Sequence, residues 1–478
     1  MSKRVLLVVP PTGLYLREDR CQSVVESHAI SFARPPLVLL EAAAILRESG
    51  AECFVEDYPA SGGDWERFEA AVRSIAPDVL VLNVTGPTVI EDLRACQIAK
   101  SVNPDILTVA KGGYLFLYDE DVLGRFGDLD VIYRGEVDFR ISALLDGSFV
   151  TTDGYSFRKD GLFGRTRDAE YLEELDRLPF PARDLIDNNL YISPDTRRRL
   201  TVIQTARGCP SNCIYCLVPR VSGKRLRSRS PENIIQEIEE CISRHDIHEF
   251  YFNADTFTIN REWVIELCRG IVDRGLKIRW GCNGRVDTLD ELRLEWMKRS
   301  GCHIISLGIE SGDQAMLDRM QKGITLAQSS RAVGLCRQFG IDAYMFFILG
   351  LPWETPESVQ RTLDFALELD GDFAEFILAR CFPGTKLYDI CRELGLLVEK
   401  DAIQEPHFRH LYLTEGEVER FRDECFRRFH FRLRYIISRL VRSRNPVITM
   451  NYAIAGINKL RSYMRAWRSR QRATRQSN

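Results

Sequence analysis

Two successive series of short apolar runs, with helical patterns between them, constrain the fold of this chain more than any other feature of its sequence. The first series lies within residues 1 to about 140 and consists of RVLLVV, FVEDY, VLVLNVT, ILTVAKGG and DVIYRGE. The helical pattern LVLLEAAAILRESG ends at Gly50, where a glycine commonly stops a helix. Strands separated by single helices predict parallel βαβ units with right-handed crossovers.

Turn residues follow three of these strands at the positions where ligands bind in parallel sheets, beyond the carboxyl ends. They are Pro10-Pro11-Thr12-Gly13, Thr85-Gly86-Pro87-Thr88 and Gly112-Gly113-Tyr114. Each group alone is typical of an ordinary turn. Three groups at one edge of a sheet predict a binding site there.

A second βα series begins at LTVIQTARG, with strands near residues 200–206, 249–253, 277–282, 303–309, 343–349 and 374–380. Six repeats are too few for a full eight-fold barrel and predict a partial one, with its chemistry at the carboxyl ends of the strands. The sequence thus predicts an α/β protein of four segments. They are a doubly wound, Rossmann-like domain (1–144), a linker with a hairpin (145–198), a partial (β/α)6 TIM-like barrel (199–398) and a helical, arginine-rich region (399–478).

The composition indicates a reducing compartment. The chain has 14 cysteines but neither a secretion signal at its start nor an apolar run near the ~20 residues that span a bilayer. We therefore expect a cytoplasmic protein, in which clustered thiols hold metals more often than they form disulfides.

Three cysteines, Cys209, Cys213 and Cys216, lie within eight residues directly after the first strand of the second series. A structural zinc site needs four ligands, and no fourth Cys or His is close in sequence. An iron–sulfur cube held by three cysteines leaves one iron open to a non-protein ligand. The alternative is three buried structural cysteines whose spacing is coincidental.

This spacing, Cys209-x3-Cys213-x2-Cys216 with the aromatic Tyr215 before the last cysteine, resembles the signature of the radical SAM enzymes. The resemblance implies a 4Fe-4S cluster whose open iron binds S-adenosylmethionine (SAM). It further implies reductive cleavage of SAM to a 5′-deoxyadenosyl radical, which abstracts hydrogen from unactivated carbon. An external one-electron reductant of the flavodoxin or ferredoxin type is implied as a partner.

Further segments follow in the order of the family: YFNADTFTI, WGCNGRVD, LGIESGDQAMLDRMQKGIT, FILGLPWET and FPGTKLYD. The resemblance implies SAM contacts at Tyr215, Asp255, Arg285, Glu310, Gly350 and Pro352. Asp255 stands where the family usually has Gly-Gly-Glu, as in the cobalamin-binding branch. Taken singly, Arg285 and Glu310 are also typical of ordinary ion pairs.

Residues 1–144 resemble the cobalamin-binding domain of that branch, through PPLVLLEAAAILRESGAECFVEDY, PDVLVLNVTGPT, AKGGYLF and VIYRGEVDF. The implied cobalamin contacts are Pro11, Thr12, Thr85, Gly86, Pro87, Gly112, Gly113, Tyr114, Gly135 and Glu136. The Asp-x-His-x-x-Gly motif that ligates cobalt in corrinoid methyltransferases is absent, and His28 has no such context. The resemblance therefore implies cobalamin without a protein histidine ligand.

The carboxyl-terminal region is strongly basic, although the whole chain has a net charge of −3. Residues 425–478 contain thirteen Arg, one Lys and no Asp or Glu, so the other 424 residues carry −17. Apolar residues recur at helical spacing, first at Phe426, Phe429, Leu433, Ile436, Ile437 and Leu440, and again from Met450 to Trp467. The pattern is typical of a membrane-surface helix, of a helix packed on the barrel, or of a phosphate-binding stripe. No RNA-binding module accompanies it, so no nucleic-acid partner is expected.

The segment SGKRLRSRSPENI and the basic tail also resemble the hopanoid-associated members of the cobalamin-binding branch, which implies a hydrophobic or lipid-like substrate. We expect C-methylation of an unactivated carbon, with the tail as a peripheral contact to the inner membrane face. The alternatives are a rearrangement or cyclisation without methyl transfer, and a non-catalytic iron–sulfur or corrinoid sensor. Cys381 is a candidate hydrogen donor to a product radical, although free cysteines are among the most buried residue types.

Overall fold

The computed structural model describes residues 2–18, 33–398, 407–442 and 450. The amino-terminal part is a seven-stranded sheet in the order β2-β1-β3-β4-β5-β6-β7. Its strands are β1 (Arg4–Val9), β2 (Glu52–Asp57), β3 (Val79–Val84), β4 (Leu107–Gly112), β5 (Val131–Tyr133), β6 (Tyr155–Lys159) and β7 (Leu162–Arg165). The five strands β1 to β5 are parallel, and the hairpin β6–β7 extends the sheet in antiparallel fashion.

Helices cover both faces of this sheet: α1 (Leu37–Glu48), α2 (Tyr58–Ser61), α3 (Trp65–Ile75), α4 (Val89–Val102), α5 (Asp119–Arg125) and α6 (Ala143–Asp146). Alternate residues of β1 serve the two faces, because successive side chains of a strand point in opposite directions. Val5 and Leu7 belong to the core formed with α1, whereas Leu6 and Val8 belong to the core formed with α3 and α4. The predicted doubly wound arrangement is therefore present, and its order 2-1-3-4-5 places the switch point between β1 and β3.

The second large sheet has six parallel strands in the order β15-β14-β13-β12-β11-β8. They are β8 (Leu200–Gln204), β11 (Glu249–Asn253), β12 (Arg279–Gly284), β13 (Cys302–Glu310), β14 (Asp342–Leu349) and β15 (Phe373–Leu378), and a two-stranded ribbon, β9 (Ala206–Arg207) with β10 (Arg227–Ser228), follows the first. The helices are α7 (Val218–Val221), α8 (Pro231–His245), α9 (Arg261–Asp273), α10 (Glu291–Arg299), α11 (Gln314–Arg319), α12 (Leu326–Phe339), α13 (Pro356–Leu369) and α14 (Lys386–Glu393). β8 and β15 form the two edges, so within the described residues the barrel is open.

The side chains on the two faces of the second sheet differ in burial. Phe252, Trp280 and Leu307 are fully buried in the core with the surrounding helices. The residues that alternate with them, such as Asn253 and Asn283, are only half-buried. The inner face of the open barrel is therefore the polar, accessible one, and it is available to ligands.

A buried ion-pair network joins the two sheets. Arg227 donates to both carboxylate oxygens of Glu136, at 2.9 and 2.7 Å. Its ribbon partner Arg207 donates to Glu41 Oε2 at 3.0 Å and to the Val137 carbonyl at 3.0 Å. Both arginines belong to the barrel half, and their partners belong to the first sheet and α1, so the network fixes one half against the other.

Within the predicted carboxyl-terminal region, the described residues form two helices, α15 (Glu415–His430) and α16 (Leu433–Arg442). Phe429 is fully buried in the barrel core, so α15 packs as a structural helix. Leu433 and Ile437 of α16 are 72% and 51% exposed. The second predicted amphipathic run lies outside the described residues, apart from Met450. Among the helices that are described, none has the length and apolar character needed to cross a bilayer.

The ion-pair network gives a first prediction. Arg227→Met should lower the free energy of unfolding by about 3 kcal/mol, because it removes two hydrogen bonds from the buried Glu136 carboxylate, which then keeps only Arg207 at 3.7 Å. The matched control is Arg73→Met, since Arg73 pairs with Glu69 in an exposed position and should cost under ~0.5 kcal/mol. Urea denaturation followed by circular dichroism measures both. Adding Glu136→Gln to Arg227→Met should recover part of the loss, and a cost for Arg227→Met no larger than that of the control would contradict the account.

Candidate functional site

The three-cysteine loop begins at a glycine that no other residue replaces easily. Gly208 has φ +88°, and a Cβ on it would lie 2.0 Å from the Arg225 carbonyl oxygen. Its amide donates to Asp255 Oδ2 at 2.6 Å, and the Cys209 amide donates to the Gly223 carbonyl at 3.1 Å. The ribbon β9–β10 and the end of β11 therefore hold the start of the loop. Asp255, predicted as a SAM contact, performs this structural task here.

The thiols of the loop lie close enough together to affect one another. Burial, opposed by a backbone hydrogen bond and reinforced by the Cys213 and Cys209 thiols, raises the pKa of Cys216 to about 12. The Cys209 sulfur lies 3.4 Å from Thr256 Oγ1. Burial of the Tyr215 hydroxyl near Glu310 and Cys213 raises the pKa of that tyrosine well above its usual range. All three thiols are half-buried, so the loop presents them at an accessible surface.

These donors fit a cuboidal iron–sulfur cluster better than a single ion. Among the described residues, no three Cys, His, Asp or Glu side chains surround the position of one metal ion. A cluster does not require that arrangement, because each of its cysteines binds a different iron atom. Three thiols on one short loop would hold three irons and leave the fourth without a protein ligand.

Two cations flank the cysteine loop. Arg285 donates to Ser211 Oγ at 3.0 Å and to the Lys322 carbonyl at 3.1 Å, while Asp287 accepts two of its N–H groups at 2.9 Å. Lys322 donates to Glu310 Oε1 at 2.5 Å, and both side chains are almost fully buried. Burial opposes the charge of Lys322, but the Glu310 carboxylate and the nearby Cys213 outweigh it and raise the pKa of the lysine. The two predicted SAM contacts Arg285 and Glu310 are therefore brought to the same side of the barrel as the thiols.

The turn after β14 is held from two directions. Gly350 has φ +79°, and its amide donates to Glu354 Oε2 at 2.5 Å. Its carbonyl accepts from His410 Nε2 at 2.9 Å. The Pro352 carbonyl accepts from the Leu411 amide at 2.8 Å. Gly350 and Pro352 therefore lie in a fixed turn at the carboxyl end of the sheet.

At the edge of the first sheet, a buried carboxylate organises the loops after β1 and β3. Asp92, in the first turn of α4, accepts from Thr12 Oγ1 at 2.5 Å and from the Thr85 amide at 2.9 Å. It also accepts from Thr88 Oγ1 at 2.9 Å and from Arg17 Nη1 at 2.8 Å. Thr12 and Thr85 were predicted, and Asp92 and Arg17 were missed. An acidic residue in the first turn of the helix that follows a ligand-binding loop was the available signal.

Most of the remaining predicted cobalamin contacts lie in the loops of the first sheet, whereas Tyr114 contacts the barrel half. Gly112 and Gly113 both have positive φ, and Cβ atoms on them would lie 2.6 Å from the Val84 carbonyl and 2.9 Å from its side chain. They therefore let the β4 loop pack against the β3 loop, next to Gly86, Pro87 and, across the switch point, Pro11. Tyr114 instead packs against Phe382 of the barrel half, with ring centroids 4.2 Å apart and ring planes tilted by 42°.

Gly135, with φ +83°, precedes Glu136, whose carboxylate already accepts hydrogen bonds from Arg227. The carboxylate of Glu136 is taken by Arg227, so this side chain joins the two halves instead of reaching freely to a ligand. The sequence carries no sign of that pairing, because Arg227 lies 91 residues away.

A cleft that opens to solvent separates the two sheets. The first sheet contributes Val9, Asp57, Asn83, Lys111 and Glu136. The barrel contributes Gln204, Asn253 and Asp255, and Val218 and Val221 come from the helix that follows the cysteines. The carboxyl ends of β8 and β11 and the loops of the first sheet therefore face one space, in agreement with the switch-point rule.

Cys381 is fully buried, and its thiol lies 3.8 Å from the His407 carbonyl. A hydrogen bond with the Cys391 thiol, opposed by burial, lowers the pKa of Cys381. Its role as a hydrogen donor stays a prediction.

The region that contains the cysteine loop is similar to known proteins. The radical SAM superfamily model matches residues 203–366. An uncharacterized methyltransferase of Pyrococcus horikoshii, PH0819, is 28% identical over 472 residues, which cover 97% of this chain and 99% of that protein. The anaerobic magnesium-protoporphyrin IX monomethyl ester cyclase of Rubrivivax gelatinosus is 31% identical over 349 residues, 70% of this chain and 62% of the cyclase. The hopanoid C-2 methylase of Rhodopseudomonas palustris is 27% identical over 232 residues, 47% of this chain and 42% of that enzyme.

A solved structure shares the fold over almost the whole chain. The cobalamin-dependent SAM radical enzyme OxsB, with aqua-cobalamin and SAM bound, has a TM-score of 0.74 at 17% identity, covering 97% of this chain and 72% of OxsB. The prediction of the family is thus confirmed. The chain carries a radical SAM domain at residues 203–366, and its homologues include a methyltransferase and a cyclase.

The Gly350 turn gives a prediction about pH. Burial raises the pKa of Glu354 to about 7, so its carboxyl is protonated in the folded chain at pH 6 but ionised in the unfolded one. Stability from this group is therefore present below pH 4.5 and lost as the pH rises through 7. Relative to Glu354→Gln, the wild type should lose about 3 kcal/mol of unfolding free energy between pH 5 and pH 8, measured by urea denaturation.

The matched control is Glu357→Gln, because Glu357 is exposed and only three residues away. Its difference from the wild type should not change with pH over the same range. A flat difference for Glu354→Gln as well would show that the buried carboxyl does not titrate there.

Proposed function

We propose that this chain is a cobalamin-dependent radical SAM enzyme that methylates an unactivated carbon of a hydrophobic or lipid-like substrate. The observation that carries the proposal is the cleft, because it is lined by the loops of the first sheet, by the carboxyl ends of β8 and β11, and by the helix that follows the three cysteines. An arrangement in which one sheet holds a corrin and the other holds SAM brings two reactive groups to one substrate. OxsB, whose fold is shared, was solved with cobalamin and SAM bound.

The proposed cofactors assign tasks to residues of this chain. When bound, the 4Fe-4S cluster supplies the electron that cleaves SAM, and cobalamin supplies the methyl group. Cys209, Cys213 and Cys216 would hold the cluster irons as thiolates. The Glu310 carboxylate, held by Lys322, would act as a hydrogen-bond acceptor for SAM. Arg285 ties Ser211 of the cysteine loop to the segment that carries Lys322, which fixes the distance between them.

The loops of the first sheet are the proposed corrin platform. Hydrogen bonds of Asp92 with Arg17, Thr12 and Thr85 fix the loops after β1 and β3. The loops at this edge of the sheet are therefore preorganised. None of the described residues that line the cleft is a histidine. We therefore propose that cobalamin is held without a protein histidine ligand. His28 lies outside the described residues.

Tyr114 and Phe382 connect the first sheet to the barrel half through a ring contact. With Leu217 and Val221 they make a small apolar cluster directly behind the cysteine loop. Because this cluster joins the β4 loop to the cysteine loop, it excludes water from the space between the two proposed cofactors.

Methylation is favoured over the alternatives by the relative that spans the whole chain, since PH0819 is described as a methyltransferase. The hydrophobic substrate is supported by the similarity to the hopanoid C-2 methylase and by the apolar part of the cleft wall. A second candidate, cyclisation without methyl transfer, is favoured by the 31% identity to the cyclase. Because the relatives include both a methyltransferase and a cyclase, we favour an enzyme over a non-catalytic sensor.

Reconstitution tests the proposal directly. After anaerobic incubation with iron, sulfide, hydroxocobalamin and SAM, the protein should bind about four irons and one corrin per chain. On reduction it should form 5′-deoxyadenosine, and with substrate also S-adenosylhomocysteine, as mass spectrometry would detect. Cys213→Ala should lose the iron and both products. Cys53→Ala is the matched control, because Cys53 is buried in the first sheet, and it should retain them.

The outcomes separate the candidates. Formation of 5′-deoxyadenosine without S-adenosylhomocysteine in the presence of substrate would exclude methylation and leave cyclisation. Iron binding without corrin would give the first sheet another role. Full iron content in Cys213→Ala would overturn the assignment of the cluster.

The tail is proposed as a contact to an anionic membrane surface. α16 exposes Leu433, Ile436 and Ile437, and residues 425–478 carry fourteen positive charges and no negative ones. Each Arg near an anionic leaflet adds ~1 kcal/mol. The full chain should therefore sediment with phosphatidylglycerol vesicles at low salt and not with phosphatidylcholine vesicles.

The double substitution Ile436→Glu/Ile437→Glu should weaken this sedimentation at least several-fold. Leu162→Glu is the matched control, since Leu162 is 73% exposed on the far edge of the first sheet. Equal binding to neutral and anionic vesicles, or no difference between the variants, would contradict the membrane proposal.

A further inference from the structure

Hydrogen bonds hold the backbone of the turn after β14 around Gly350. The Gly350 and Leu351 amides both donate to Glu354 Oε2, at 2.5 and 3.3 Å. The Leu351 carbonyl accepts from the Glu354 amide at 3.0 Å, and the Leu349 carbonyl accepts from Ala379 of the next loop at 2.8 Å. One carboxyl group thus closes the turn from within the barrel.

The outer side of the same turn is covered by a segment that lies sixty residues later in the chain. A Cβ on Gly350 would lie 2.6 Å from Val418 Cγ1 and 3.1 Å from His410 Nε2. The Leu411 amide donates to the Pro352 carbonyl at 2.8 Å. Nothing larger than glycine fits between the turn and this segment, so the two are in direct contact.

His410 makes the central contact between them. Its Nε2 lies 2.9 Å from the Gly350 carbonyl, and since a carbonyl only accepts, Nε2 carries the hydrogen. Partial burial lowers the pKa of His410, so the ring is neutral at neutral pH and Nε2 is its one donor nitrogen. With Glu354 on the amide and His410 on the carbonyl, the Gly350 peptide groups are held at both ends.

We propose that His410 is a positioning residue for SAM, which holds the turn at residues 350–353 in its binding conformation from the carboxyl-terminal region. The inference rests on the proposed function and on the SAM contacts at Gly350 and Pro352 that the family resemblance implies. It gives the segment that carries His410, Leu411 and Val418 a role in the site, although it lies outside the residues matched by the radical SAM superfamily model. The barrel alone therefore forms an incomplete SAM site.

Substitution of His410 tests the proposal in the reconstituted full-length enzyme. His410→Ala should raise the dissociation constant for SAM about 5- to 15-fold, the loss expected for one hydrogen bond, with iron content and corrin stoichiometry unchanged. His410→Gln should restore SAM binding to within about threefold, because the Gln amide nitrogen reaches the position of Nε2. His407→Ala is the matched control from the same segment and should bind SAM as the wild type does.

A second measurement does not depend on any variant folding well. In hydrogen–deuterium exchange, SAM should protect residues 349–354 and 408–413 of the wild type together. Unchanged SAM affinity in His410→Ala, no rescue by Gln, or protection of the turn without residues 408–413 would overturn the proposal. Failure of the proposed function looks different, because then the wild type itself would neither bind SAM nor form 5′-deoxyadenosine.

Discussion

The buried pairs of Arg207 and Arg227 with carboxylates of the amino-terminal half are the constraint on which the rest of the structure depends. The two arginines face each other on the short ribbon that flanks the cysteine loop. One reaches Glu41 on α1, and the other reaches Glu136 beyond β5. Buried pairs of this kind cost desolvation, so their contribution is to geometry more than to stability. They fix the cysteine loop relative to the edge of the first sheet.

That fixed geometry determines what the cleft can do. Two parallel sheets each offer a binding edge, but the edges act together only if they face each other at a constant distance. The network at Arg207 and Arg227 and the apolar contact of Tyr114 with Phe382 set this distance. The carboxyl-terminal segment then closes the barrel side through His410. Three separate parts of the chain therefore build one site.

The sequence predicts the local elements well, because periodicity and glycine positions are local signals. The six barrel strands, the five parallel strands of the first sheet and the cysteine loop all lie where the patterns indicate. The pairing of Glu136 with Arg227 was not predictable, since it joins residues far apart in sequence, whereas the predicted cobalamin contact at Glu136 came from the family resemblance. Asp92 and His410 were missed for the same reason. Each hydrogen-bonds to a backbone group, of Thr85 and of Gly350 respectively, and the sequence pattern does not reveal these contacts.

The central claim is that one cleft holds a corrin and a SAM-binding cluster close to each other. It is tested most directly by electron paramagnetic resonance of the reconstituted protein, with the cobalt and the cluster each brought to a paramagnetic state. The cobalt signal should broaden and relax faster when the cluster is reduced, and Cys213→Ala, which retains the corrin, should abolish this effect. A cobalt signal that is unchanged by cluster reduction would place the two groups in separate sites and contradict the account.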